Sequence, residues 1–156
     1  MPHQLQKLQR LRRFLLTQID GLTTAQLNEI PAGYHNNIIW NLAHLGAAVQ
    51  SLCYVRAGLS PTIADEHFTP YLPGTKPEKY LDEASIETIK HVSLAALDQL
   101  QLDLAANRFT NYTSSPFIQQ RYGVAVDTID DALAFLLYHE GFHTGYILAL
   151  KHLTGR

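Results

Sequence analysis

Near the C-terminal end of the chain, Ala132, Leu136, His139, His143, Tyr146 and Leu150 follow one another at steps of 4, 3, 4, 3 and 4. This is the interval at which one stripe of an α-helix returns to the same face. The segment from Asp131 to Leu153 is therefore predicted to be one long helix with a face in the core. Two members of that stripe are histidines, set in His139-Glu140-Gly141-Phe142-His143. Four apart on a helix, their rings lie about 40° from one another around the axis and one turn apart along it, so both can reach one ion at about 2.0–2.1 Å. A buried ring nitrogen left unpaired costs roughly 1–3 kcal/mol. Two neighbouring seam histidines thus need either a shared metal or a polar network with a tyrosine, a carboxylate or a buried water.

The rest of the chain is also helical in pattern. A first helix is predicted from Gln4 to Asp20, with Leu5, Leu8, Leu11, Leu15 and Ile19 on its inner stripe and Gly21 as its stop. Thr23 and Thr24 open a short turn through Leu27. A second long helix starts at Asn36 or Asn37, both good caps, and runs to Ala57, before Gly58 and Pro61. Its surface is apolar almost all round, which requires burial on several sides. Leu59 to Tyr80 holds Pro61, Pro70, Pro73, Gly74 and Pro77 and reads as a long connection. A third helix follows from Asp82 to Asn107 with Ile86, Ile89, Val92 or Ser93, Ala96, Leu100 and Leu104 inward. Arg108 to Val126 reads as irregular with a short extended piece. Thr128 and Asp131 form a capping box for the last helix, which Gly155 ends.

The sum is an all-α fold, a four-helix bundle with long crossover loops, occupying residues 1–156 as a single domain. A chain of 156 residues supports a core without metal or disulfides, so a metal here points to function rather than to scaffolding. The net charge of −2 argues against a nucleic-acid footprint, and Lys7, Arg10, Arg12 and Arg13 on the first helix read as a solvated face. The lone Cys53 forms no internal disulfide, fits a reducing cytoplasm and reads as a small core residue. No signal peptide and no uncharged apolar run of membrane-spanning length is expected, which places the protein in the cytoplasm.

Metal sites in bundles are assembled from side chains on facing helices, so the remaining ligand belongs on another one. His44 stands alone among histidines in the middle of the second helix and is the third candidate ligand. By itself such a histidine is more often a satisfied core residue; three mid-helix histidines together favour metal. The motifs Asn37-Ile38-Ile39-Trp40-Asn41-Leu42-Ala43-His44-Leu45 and His139-Glu140-Gly141-Phe142-His143-Thr144-Gly145-Tyr146-Ile147 together resemble the DinB-like family of four-helix bundles. The resemblance implies a three-histidine divalent metal site at His44, His139 and His143, zinc or nickel foremost, and a homodimer. It also implies kinship with transferases and isomerases that use low-molecular-weight bacterial thiols as co-substrates. It implies no particular substrate, and its name no DNA binding.

His-Glu-x-x-His is also the zinc-peptidase signature, with the glutamate as general base. The extended forms of that signature are absent, since Tyr146 and Ala149 stand where glycine and histidine are needed and no glutamate follows His143. Glu140 points about 100° away from His139 around the helix. It is the one catalytic candidate, as a proton carrier or support for the ligands, against an ordinary surface or interface role. Tyr34 and His35, with His67 and Tyr71 on the long loop, are candidates for the mouth of the site, against plain loop decoration. No cluster of arginines or lysines stands beside the ligands in sequence. The expected function is a metal-dependent enzyme of the thiol-transferase, isomerase or hydrolase kind acting on a small molecule. The alternative is a non-catalytic metal-binding or structural, stress-related bundle.

Overall fold

The computed structural model describes residues 3–155. Four long helices carry the fold: α1 (His3–Ile19), α3 (Ile38–Val49, continued by a π-helical turn Gln50–Tyr54 and a 3-10 turn Val55–Ala57), α4 (Glu83–Ala105) and α6 (Ile129–Thr154). Two short helices sit in the connections, α2 (Thr24–Asn28) and α5 (Pro116–Tyr122). α1 packs on α4 and α6, and α3 packs on the same two, so α1 and α3 face each other across a diagonal. α3 is covered in addition by α2 and by the connection between α3 and α4, which accounts for its all-round apolarity, buried at every position from Ile38 to Val49.

Local signals fix the helix starts. Asn37 caps α3, its Oδ1 accepting from the Trp40 N–H at 2.9 Å. Thr128 accepts from the Asp131 N–H at 3.1 Å while the Asp131 carboxylate accepts from the Thr128 N–H at 3.0 Å, closing the expected capping box of α6. α5 corrects the irregular reading of 108–126: Pro116 sits in its first turn and Gly123, at φ 68°, closes it in the left-handed region. Those are the usual marks of helix start and stop, and they lay inside a stretch too short for a periodic pattern.

The apolar core falls into two blocks. One gathers Leu5, Leu8, Val49, Leu97, Leu133 and Leu136; the other gathers Leu15, Ile19, Leu42, Ile89, Ile147 and Leu150. Between them, at one level of the bundle, each long helix contributes something small or polar: Arg12 from α1, His44 and Gly46 from α3, Ser93 from α4, and His139, Glu140 and His143 from α6. At this level Gly46 of α3 faces the backbone of α4 at Ser93, where a Cβ would stand in ordinary contact, 3.9 Å from the Ser93 Cα.

Arg12 corrects the solvated-face reading of the first helix. It is fully buried, whereas Leu11, assigned inward from sequence, is 38 % exposed. The seam of α1 runs Leu5, Leu8, Arg12, Leu15, Ile19, all buried, so the 3-4 spacing passes through the arginine. The helical segment Ile38–Ala57 also reaches membrane-spanning length, against expectation, but 83 % of its most apolar window is buried inside the bundle. It is the core helix.

Candidate metal centre

α6 touches both α3 and α1, and its residues divide accordingly. His139 and His143 turn toward α3, and Glu140, one residue on, turns toward α1. The structure brings His44, His139 and His143 together, one ring nitrogen from each lying within 4.8 Å of the others. Nε2 of His44 stands 3.3 Å from Nε2 of His139. Two nitrogens about 2.0–2.1 Å from a shared ion at a near-tetrahedral angle are about 3.3–3.4 Å apart, so this pair has the spacing of two ligands.

The outer nitrogens show which atoms face inward. His44 Nδ1 lies 2.6 Å from the carbonyl oxygen of Tyr71; a carbonyl only accepts, so Nδ1 carries the proton and Nε2 is bare. His143 Nδ1 lies 2.8 Å from Asn41 Oδ1. The amide cannot be turned round, because Asn41 Nδ2 already donates to the Asn37 carbonyl at 2.8 Å and to Asn36 Oδ1 at 3.1 Å. His143 is thus also a donor at Nδ1 and bare at Nε2. His139 Nδ1 is buried with no hydrogen-bond partner among the described residues. The bare Nε2 atoms of His44 and His143 both need a positive partner, which a shared ion supplies for all three rings and an N–H of His139 supplies only for His44; hydrogen bonds to the far nitrogens are the usual means of orienting metal-binding histidines. The donor set fits a divalent ion.

Aromatic packing limits ring motion. Trp40 stacks on His44 with centroids 5.0 Å apart and an 8° tilt, and Phe135 flanks His139 at 6.2 Å. Burial lowers the basicity of all three rings. Desolvation, then the charges of His143, His44 and Arg12, takes His139 down to about 2. Desolvation, then His44 and Arg12, takes His143 down to about 3. For His44 desolvation outweighs the opposing bond to Tyr71. All three are neutral ligands at neutral pH.

An unfolded chain protonates these histidines near 6.5, above the lowered value of His44 and well above those of His139 and His143. Above that pH neither state takes up protons there and stability is flat with respect to them. Below it, the unfolded state gains protons that the folded state refuses, at up to about 1.4 kcal/mol per pH unit for each ring. The metal-free protein is expected to lose stability steadily as pH falls from 7 to 5; a urea midpoint unchanged over that range would contradict the buried neutral trio. Asn41→Leu, which removes the acceptor that orients His143, is expected to weaken divalent-ion binding by about 10–100-fold, as read by titration against a competing chelator.

A model of the DinB superfamily matches residues 7–147. The chain belongs to the DinB superfamily. A search of curated proteins and of solved structures finds no match to it. The three histidines picked out by the DinB resemblance are the three that the fold gathers.

Other sequence candidates fare differently. Glu140 is neither at the surface nor among the imidazoles. It is 1 % exposed, and both its oxygens are taken by Arg12, from Nε to Oε1 and from Nη2 to Oε2 at 2.7 Å each. The third arm of Arg12, Nη1, donates to the Ser93 carbonyl at 2.9 Å. The Glu140 carboxylate is directed to Arg12 on α1 rather than to the histidines. The sequence reading missed Arg12, and its signal was the seam spacing of α1.

The mouth is a cleft of about 920 Å³ that reaches the three histidines. His35 lines it. Tyr34 is not among the lining residues; its ring packs edge-on against Tyr146, centroids 5.7 Å apart. His67 borders a separate small hollow with Ala43 and Gly46. Tyr71 contributes its backbone carbonyl, so the long connection is part of the site's construction. Arg56 and Arg121 also line the cleft, away from the ligands in sequence, where no cluster of arginines or lysines stands beside them. The two are far from each other in sequence, and only the fold of 106–128 against the end of α3 brings them to one cleft.

Proposed function

We propose that this DinB-superfamily chain is a metal-dependent enzyme that works on a small molecule in the cleft, by thiol transfer or isomerisation, or by hydrolysis. Zinc or nickel at His44, His139 and His143 is the proposed cofactor, with a low-molecular-weight thiol as co-substrate in the first two cases. The observation that carries the reading is the trio of neutral imidazoles, two of them oriented by Tyr71 and Asn41, opening onto a cleft large enough for a ligand.

An ion held by three neutral ligands keeps its full charge and a free coordination position, and so would acidify a bound thiol or water. The chain's own residues support that chemistry in stated ways. Asn41 and Tyr71 hold protons on the far sides of two rings and fix their direction. Trp40 and Phe135 give His44 and His139 flat apolar flanks that hold the rings in place. Arg12 occupies Glu140, so that no carboxylate competes for the ion or cancels its charge.

The test is incubation of metal-loaded protein with several bacterial low-molecular-weight thiols and a chlorinated electrophile, with conjugates read by mass spectrometry. Conjugate that needs both protein and metal, and falls to background in His143→Ala, is expected. Absence of conjugate with every thiol, together with no hydrolysis of simple esters and amides, would leave a metal-binding bundle without catalysis.

A further inference from the structure

We infer that the cleft is built for an elongated organic anion whose carboxylate-type head is held by Arg56 and Arg121 and whose other end lies at the three imidazoles. This rests on the metal-enzyme reading only at the imidazole end; the charge argument stands on the cleft itself.

The chain carries more acidic than basic side chains, 14 against 12, yet no aspartate or glutamate lines the cleft, while two arginines do. Among the described residues neither arginine forms an ion pair, whereas Arg12, Arg13 and Arg108 each have a carboxylate partner. Arg56 is braced: its Nη1 donates to the Ser114 carbonyl at 3.0 Å. The same turn is stitched down by the Thr113 N–H donating to the Arg56 carbonyl at 2.7 Å. One edge of the guanidinium is thus anchored, and the fork retains further N–H donors for a planar oxyanion. A concave, low-dielectric surface with one sign of charge concentrates ligands of the other sign.

Position supplies the shape of the ligand. Arg56 follows His44 by twelve residues on one nearly continuous helix, roughly 18 Å at about 1.5 Å per residue, less the inward reach of both side chains. The wall between is apolar, with Leu52, Val55, Phe117 and Tyr122. Val55, Phe117 and Tyr122 are 39 %, 51 % and 43 % exposed, respectively, which is unfavourable surface unless something apolar lies along it. A charged head, an apolar body and a distal group at the histidines follow in that order.

The test uses cobalt-loaded protein titrated with 8-mercaptooctanoate and with 8-mercaptooctanol, reading the thiol-to-cobalt absorption band. The acid is expected to bind at least about tenfold more tightly, the low end for hydrogen bonds to a charged group. That preference should shrink in Arg56→Gln and Arg121→Gln and invert in Arg121→Glu. Cobalt uptake measured alongside reports on the imidazole site separately, and Arg121 lies on the exposed face of α5, so the outcome does not depend on the folding of the Arg56 variant. Equal binding of acid and alcohol, or an acid preference that survives all three substitutions, overturns the inference. If the protein takes up no cobalt, the metal reading has failed and the anion site is tested by calorimetry of octanoate against octanol on the metal-free protein, with the same results expected and the same results overturning it.

Discussion

Arg12→Met is expected to destabilise the protein by about 3–5 kcal/mol, the usual result of stripping one partner from a buried ion pair. Arg12 is fully buried and makes two 2.7 Å bonds to Glu140, which is itself buried. Without the guanidinium, the Glu140 carboxylate must either stay charged in an apolar level of the bundle or take up a proton. Glu140→Gln keeps the shape and one acceptor and should cost less. The double change Arg12→Met, Glu140→Leu should recover most of the loss, because a matched apolar pair avoids desolvating either charge. Urea unfolding of the four proteins at pH 7 checks this. A single-substitution cost below about 1 kcal/mol, typical of a solvated pair, would show that this level of the core is not what the structure describes.

The second large effect concerns His143. Its replacement by alanine removes one of three imidazoles, and the affinity for a divalent ion is expected to fall by more than about 100-fold, beyond the 10–100-fold of losing a supporting hydrogen bond. The metal-free protein should change little in stability, since His143 borders the cleft and water can enter the space it leaves. The two readouts separate roles: a core histidine would give a stability loss without a change in metal, and a ligand gives the reverse. Chelator competition and thermal unfolding with and without metal supply both.

The histidine pair was legible in the sequence because a helix converts a four-residue interval into proximity. His44 was legible because a bundle has to draw its remaining ligand from a facing helix. Asn41 stood one turn before it, but nothing in the sequence says that a side chain on α3 reaches a ring on α6. The carbonyl of Tyr71 is harder still, because a backbone oxygen carries no residue signature and the connection holding it has no period. Arg12 shows a different failure. Counting charges made it one of four cations on a helix face, whereas counting positions puts it in the seam between Leu8 and Leu15. Where composition and spacing disagree about a long charged side chain, burial with a partner is the resolution, and here the partner is the glutamate that the zinc-peptidase pattern would have made a base. α5 escaped notice because its seven residues are too few to display a face, although its proline and glycine marked both ends. With it went the cleft wall and Arg121.

The most direct test is a crystal structure of protein grown with zinc and measured on both sides of the zinc absorption edge. A single anomalous peak about 2.0–2.1 Å from one ring nitrogen each of His44, His139 and His143 is predicted, with Asn41 and the Tyr71 carbonyl still on the far nitrogens. The imidazoles closed on one another with no anomalous peak between them, in crystals grown with zinc and again with nickel, would contradict the account.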